Sequence, residues 1–259
     1  MYKRSYVVLL ILALAAMVFS ACAAPAAPAP GADTGAEGEA MASGPVTARY
    51  NLATEPPTLD PALSTDTTSS AVIRSTMVGL TRLNPDDASA EPSLATDWSV
   101  SDDGLTWTFN LRTDIPWVKY NADTGAVEEV MDDSGNVVYV TASQVEYGIK
   151  RACDAATASD YAYILYVIDG CEAANSGEGS VDDVAVTAVD DATLEITTTY
   201  AASFFPQIVS MPTAFPTPQW VIEEFGDVWT EAENIVGNGP YAVAEWIHND
   251  SMQIVKNPF

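Results

Sequence analysis

The chain has 259 residues, 36 of them acidic and 10 basic, for a formal net charge of −26. That balance argues against nucleic-acid binding, which needs clustered Lys and Arg to neutralise phosphates; acidity by itself implies only a soluble, self-repelling surface. One histidine and three cysteines leave little material for a metal centre or an imidazole catalyst.

From the N-terminus, Lys3 and Arg4 precede an apolar run from Val7 to Phe19, followed by Ser20, Ala21 and Cys22. This layout predicts a secretory signal over residues 1–21 rather than a membrane span, for which the run is short and wrongly flanked. A small residue before Cys at the end of the run is the bacterial lipoprotein processing pattern, with Phe19 where Leu is usual. Processing there makes Cys22 the lipidated first residue, firmly anchored by its acyl chains. The alternative is cleavage at an ordinary Ala-rich site and release. Residues 22–45 are mostly Ala, Pro, Gly and acids, and predict a disordered linker.

From Val46 the texture changes to that of a folded region of roughly 215 residues, enough for one or two modest cores. Val46–Leu52 alternates and predicts a strand. Val72, Ile73, Thr76 and Leu80 have helical spacing and predict a helix over Ser69–Leu80. Leu105, Trp107, Phe109 and Leu111 alternate with polar residues after Asp103-Gly104, which predicts a hairpin with the strand at Trp98. Residues 120–140 predict a second ribbon turning at Asp133–Asn136; its acids lack the spacing and closing Glu of a calcium loop. Thr141 and Gln144 form a capping box ahead of a helix whose buried face is Val145, Gly148, Ile149 and Ala152. A second helical stretch is expected over Tyr161–Ala174, then strands at Val184–Val189 and Thr193–Thr198 joined through Asp190-Asp191. A Pro-marked segment, a short helix over Gln219–Phe225, and a hairpin of Tyr241–Trp246 with Met252–Lys256 turning at Asn249-Asp250 close the chain. With Cys22 assigned to the anchor, Cys153 and Cys171 form an even pair in an exported chain. That suggests a disulfide, with two buried thiols as the alternative.

Searching for chemistry gives no Gly-x-Ser-x-Gly elbow and no phosphate-binding Walker loop. His248, the one imidazole, falls beside a predicted turn and reads as a solvated loop histidine. The adjacent acids at Asp86-Asp87, Asp102-Asp103, Asp182-Asp183 and Glu223-Glu224 lie in turns or at helix edges, whereas a glycosidase needs two acids facing each other across a cleft. Six Trp and eleven Tyr suit a pocket that grips ligands by stacking, although Trp107 and Phe109 read as core.

Several stretches carry a resemblance. Glu91–Trp98 with Ser101–Arg112, the capped helix Thr141–Arg151, the hairpin Val189–Ile196, Ile235-Val-Gly-Asn-Gly-Pro-Tyr241 with Glu245-Trp246, and Lys256-Asn257-Pro258 follow in order. Together they resemble the family 5 extracellular solute-binding proteins, the dipeptide- and oligopeptide-binding components of ABC importers. The resemblance runs from about Val46 to the end. It implies a mixed α/β fold of the periplasmic-binding-protein-like type II, with two lobes closing on ligand about a hinge. This chain is similar to the N-terminal half: residues 46–80 and 236–259 as parts of lobe I, 81–235 as an inserted subdomain, and the second lobe missing. Two further departures are the long ribbon after Trp117 and the pair Cys153 and Cys171, which is not a general family feature.

The resemblance implies ligand contacts from the loop after Leu59-Asp60-Pro61, namely Thr65, Asp66 and Thr67, and from Tyr161 in the segment after the capped helix. It also implies a monomeric, membrane-anchored extracytoplasmic protein that delivers peptides to a permease, with no cofactor, no metal and no catalytic residue. Relatives that capture sugars or nickel complexes give a variant of this reading. A secreted hydrolase using His248 or a carboxylate pair, and a purely structural surface lipoprotein, are the alternatives from other classes.

Overall fold

The computed structural model describes residues 46–259. The expected signal peptide, the lipidation of Cys22 and the linker 22–45 lie outside the described residues.

Asp66 starts the first helix: its Oδ1 accepts the backbone N–H groups of Thr68 (2.9 Å) and Ser69 (2.8 Å), satisfying donors that a helix N-terminus leaves free. Helix α1 therefore spans Thr67–Thr76, two residues earlier than its apolar spacing suggests. It ends where Met77 turns extended, so Leu80 is buried outside the helix. Residues 46–52 form no strand. Their alternation marks a face, but a strand needs a neighbouring edge, and no described strand pairs with them.

Strand β1 (Thr81–Leu83) pairs antiparallel with β2 (Ala90–Pro92). The predicted hairpin is β3 (Ala95–Val100) with β4 (Thr106–Leu111), and Trp107, Phe109 and Leu111 face inward. Next comes the ribbon, β5 (Val118–Asn121) with β6 (Ala126–Glu129). It has two turns where one is expected. Asn121–Gly125 closes β5 on β6, and Asp132–Asn136 returns the chain to bridge Met131 to Val137. Helix α2 (Ala142–Cys153) buries the expected face, and the Gln144 side chain accepts the Thr141 N–H at 2.9 Å.

The second helical stretch divides. A 3₁₀ turn covers Ala162–Leu165, and helix α3 (Cys171–Ser176) starts only after Gly170. Gly170 has φ +80°, and a Cβ there would meet the Asp183 carbonyl oxygen at 2.4 Å. A continuous helix cannot pass through that position. The Cys153–Cys171 disulfide closes this segment, with Cα atoms 5.1 Å apart. A loop of this size stabilises the fold by about 3 kcal/mol in the chain-entropy model.

Strands β7 (Val186–Asp190) and β8 (Thr193–Thr197) complete a four-stranded sheet in the order β3-β4-β8-β7. Helix α2 packs against its β7 side. Helix α4 (Phe205–Ile208) places Phe205 5.7 Å from Trp107 and 6.3 Å from Phe109, ring to ring, in the core. A 3₁₀ turn at Pro212–Ala214 and helix α5 (Gln219–Phe225) follow. Hairpin β9 (Tyr241–Ile247) with β10 (Ser251–Lys256) closes the chain. The Gly-Asn-Gly before it fits against the end of α1: the Gly239 N–H donates to the Thr76 carbonyl (2.9 Å) and Asn238 bonds both backbone groups of Val78. A Cβ at Gly237 would lie 2.3 Å from that same carbonyl oxygen, so only glycine permits the approach. Residues Tyr50–Phe259 make one compact unit.

Candidate functional site

The loop between Thr58 and Asp66 is organised by one buried carboxylate. Asp60 is 3% exposed. It accepts a two-pronged bond from Arg151 on α2 (2.9 and 2.7 Å), the Trp229 indole N–H (3.1 Å) and the Ala62 backbone N–H (2.9 Å). Burial works against the Arg151 charge, but the hydrogen bonds and negative charge of Asp60 outweigh it and raise the arginine's pKa. The planar guanidinium matches a carboxylate in this geometry as lysine could not. Farther along, the Ser159 hydroxyl donates to the Ala62 carbonyl, tying the loop to the segment that follows α2.

Past these anchors the loop opens on a cavity of about 180 Å³. Its walls are Ser64–Thr67 and Ser70 on one side, with Tyr161 and Met211–Thr213 from two later segments. Thr65, Asp66, Thr67 and Tyr161, the four expected ligand residues, thus line one space although Tyr161 is far away in sequence. Arg74 holds the third wall, donating to the Ser210 carbonyl at 3.0 Å, with its other nitrogen 3.6 Å from the Met211 sulfur. Thr65 and Thr67 are exposed and Asp66 half-buried. Asp66 spends Oδ1 on capping α1, while its Oδ2 has no protein partner. Hydroxyls, one carboxylate, a phenol ring and apolar Met211 and Pro212 make a surface suited to hydrogen bonding and stacking. Asp60, Arg151, Ser159 and Met211–Thr213 were not legible as site residues. The Asp60 and Arg151 motifs are each visible, but nothing in their spacing signals that they meet.

A larger depression, about 490 Å³, lies where the ribbon meets β9, among Lys119, Tyr120, Glu233, Glu245 and Trp246. None of the four expected ligand residues lines it. One of its polar ribbon side chains, Asn121, is committed to Glu128 and to its own turn.

His248 follows β9 and is half-exposed, as expected of a loop histidine, but it is not free in solvent. Its Nδ1 lies 2.9 Å from Glu55 Oε1 and its Nε2 2.9 Å from Glu231 Oε2. Hydrogen bonds from Glu231 and then Glu55 raise its pKa. Glu55 also accepts the Trp246 indole N–H (2.9 Å) and the Asn249 backbone N–H (3.0 Å). Both imidazole nitrogens thus face carboxylates and neither faces a serine, the arrangement a hydrolytic triad requires. Among the described residues no group of three His, Cys, Asp or Glu side chains is placed to hold a metal, and no helix is long and apolar enough to cross a membrane.

Residues 89–259 match the model of the bacterial extracellular solute-binding proteins, family 5 Middle, and the chain belongs to that family. The oligopeptide-binding protein OppA of Bacillus subtilis (strain 168) is 35% identical over 256 residues, which cover 98% of this chain and 43% of that protein. The substrate-binding domain of an oligopeptide ABC transporter from Bacillus anthracis superposes with a TM-score of 0.69 at 33% identity, over 79% of this chain and 36% of that one. Haemophilus influenzae OppA, solved in complex with the peptide RPPGFSPFR, gives 0.69 at 28% identity, over 80% and 37%. The fold is therefore part of the type II periplasmic-binding-protein architecture. The chain spans less than half the length of the curated relatives it matches.

Proposed function

We propose that this chain supplies part of the extracytoplasmic binding component of an ABC importer, which captures peptides and passes them to a membrane permease. The observation that carries the reading is the convergence of Thr65, Asp66, Thr67 and Tyr161 on one cavity, in a chain related to proteins named for oligopeptide binding. Backbone and hydroxyl groups of the Ser64–Thr67 loop hydrogen-bond the peptide, and Tyr161 stacks on it. Capture works by population shift, because a ligand touching both lobes favours the closed state.

In this reading residues 46–80 and 236–259 belong to lobe I and 81–235 to its inserted subdomain. The protein acts as a monomer by binding and not by catalysis, which the double commitment of His248 to carboxylates supports. Lipidation at Cys22 anchors it to the membrane, on the motif at Phe19–Cys22.

Calorimetry on the full-length protein tests the reading, with short peptides, oligosaccharides and nickel chelates compared side by side. Saturable binding of peptides alone is expected. Binding of sugar or nickel complex with none of peptide would overturn it.

A further inference from the structure

The segment after α2 carries a second tyrosine, Tyr163, that the ligand assignment leaves out. Its ring packs edge-on against Tyr161, with centroids 5.7 Å apart and planes at 72°. Tyr161 lines the cavity, whereas Tyr163 stands beside it and is 59% exposed. Single exposed aromatics are ordinary on protein surfaces. This one differs in how firmly its backbone is held. The 3₁₀ turn Ala162–Leu165 lies inside the loop closed by the Cys153–Cys171 disulfide. Within that loop the Ser159 hydroxyl donates to the Ala62 carbonyl, and in the turn itself Ala162 and Leu165 are fully buried. Neither the Tyr161 nor the Tyr163 hydroxyl has a hydrogen-bond partner among the described residues, although nearby Tyr166 bonds Asn175 at 2.8 Å. The pair thus sits on an ordered backbone: Tyr161 lines the cavity together with Met211 and Pro212, its apolar end, and the exposed Tyr163 ring packs against Tyr161.

We infer that Tyr163 is a specificity-determining residue that extends the cavity with a second aromatic wall and selects peptides carrying an aromatic side chain. A ligand ring placed against the pair completes a cluster of three rings. Rigidity of the disulfide-closed loop matters because a wall already ordered loses little entropy on binding. The inference rests on the peptide-capture reading.

The test measures affinities of the full-length protein for peptides of one length that differ at one position, Phe, Leu, Lys or Glu, before and after Tyr163→Ser and Tyr163→Phe. The wild type should prefer the Phe peptide over the Leu peptide by about three- to tenfold. Tyr163→Ser should erase that ratio, weakening the Phe peptide more than the Leu peptide at an unchanged melting temperature, and Tyr163→Phe should keep it. An unchanged ratio in Tyr163→Ser overturns the inference and leaves peptide capture standing. So does a wild-type preference for the Lys peptide, which would make the wall a cation-binding face. Absence of binding for all four peptides overturns the capture reading and this inference with it.

Discussion

Two ion-paired clusters, one buried and one exposed, hold this fold in different ways. Asp60, Arg151 and Trp229 meet in the interior, with the Asp60 and Arg151 side chains 4% and 16% exposed. Glu55, His248 and Glu231 meet at the surface, where His248 is 48% exposed. The buried cluster is strong because its charges cannot return to water. Removing one partner strands the other, so the pair fixes the ligand loop whatever its net contribution to stability. The exposed cluster is screened and loses side-chain entropy, so it acts as an adjustable clasp between the 51–57 segment, the loop at Glu231 and the β9–β10 turn. Position in the dielectric, more than bond length, sets what each cluster does: their shortest contacts are 2.7 and 2.9 Å.

Breaking the buried side should give the largest effect. Arg151→Met leaves Asp60 charged and unpaired by any cation, and should cost about 3 kcal/mol or more, read from the denaturant midpoint. Hydrogen exchange should rise at Ala62–Thr67. Asp66 sharpens the comparison as an intermediate case, a half-buried acid whose Oδ1 caps α1. Asp66→Ala should cost about 1 kcal/mol in thermal unfolding, while Asp66→Asn, which caps equally well, should cost almost nothing.

The smallest effect is expected at His248→Ala, below about 1 kcal/mol and smaller still in high salt. Its pH dependence has a definite sign. The native pKa of His248 is raised above the unfolded value of about 6.5. The clasp's stabilisation is therefore full below that value and lost as pH rises through the native pKa. Glu55 behaves oppositely. Slight burial pushes its pKa up, but the bonds from Asn249, His248 and Trp246 bring it below the ordinary value. Its share is present above the unfolded carboxylate pKa and lost on acidification through the native one. The gap in melting temperature between wild type and His248→Ala should thus be widest just below the unfolded histidine pKa and narrow as pH rises through the raised native one. The imidazole resonance of this single histidine should titrate above the free value.

How much of this was legible in the sequence followed the range of the interactions. The hairpin at Asp103-Gly104, the face of α2 and the helix Gln219–Phe225 are coded by local alternation and caps, and all formed as read. The disulfide followed from counting cysteines. The strand expected at Val46–Leu52 failed because a strand depends on a partner that its own residues do not specify. The helix expected over Tyr161–Ala174 broke at Gly170, whose backbone is pressed against Asp183, a contact with a later turn. At the candidate site the loop residues and Tyr161 came from family resemblance. Arg151 and Trp229 were missed because an Asp and its partners 91 and 169 residues away leave no periodic trace.

If the cavity of Thr65, Asp66, Thr67 and Tyr161 holds the ligand, removing its aromatic wall must weaken binding. The most direct measurement is peptide affinity of the full-length protein before and after Tyr161→Ala, with melting temperature recorded on the same samples. The expected result is a loss of about tenfold or more in affinity, the value of one stacked ring and its buried area, and a melting temperature within a few degrees of wild type. Unchanged affinity in a folded Tyr161→Ala protein would contradict this and place the ligand elsewhere.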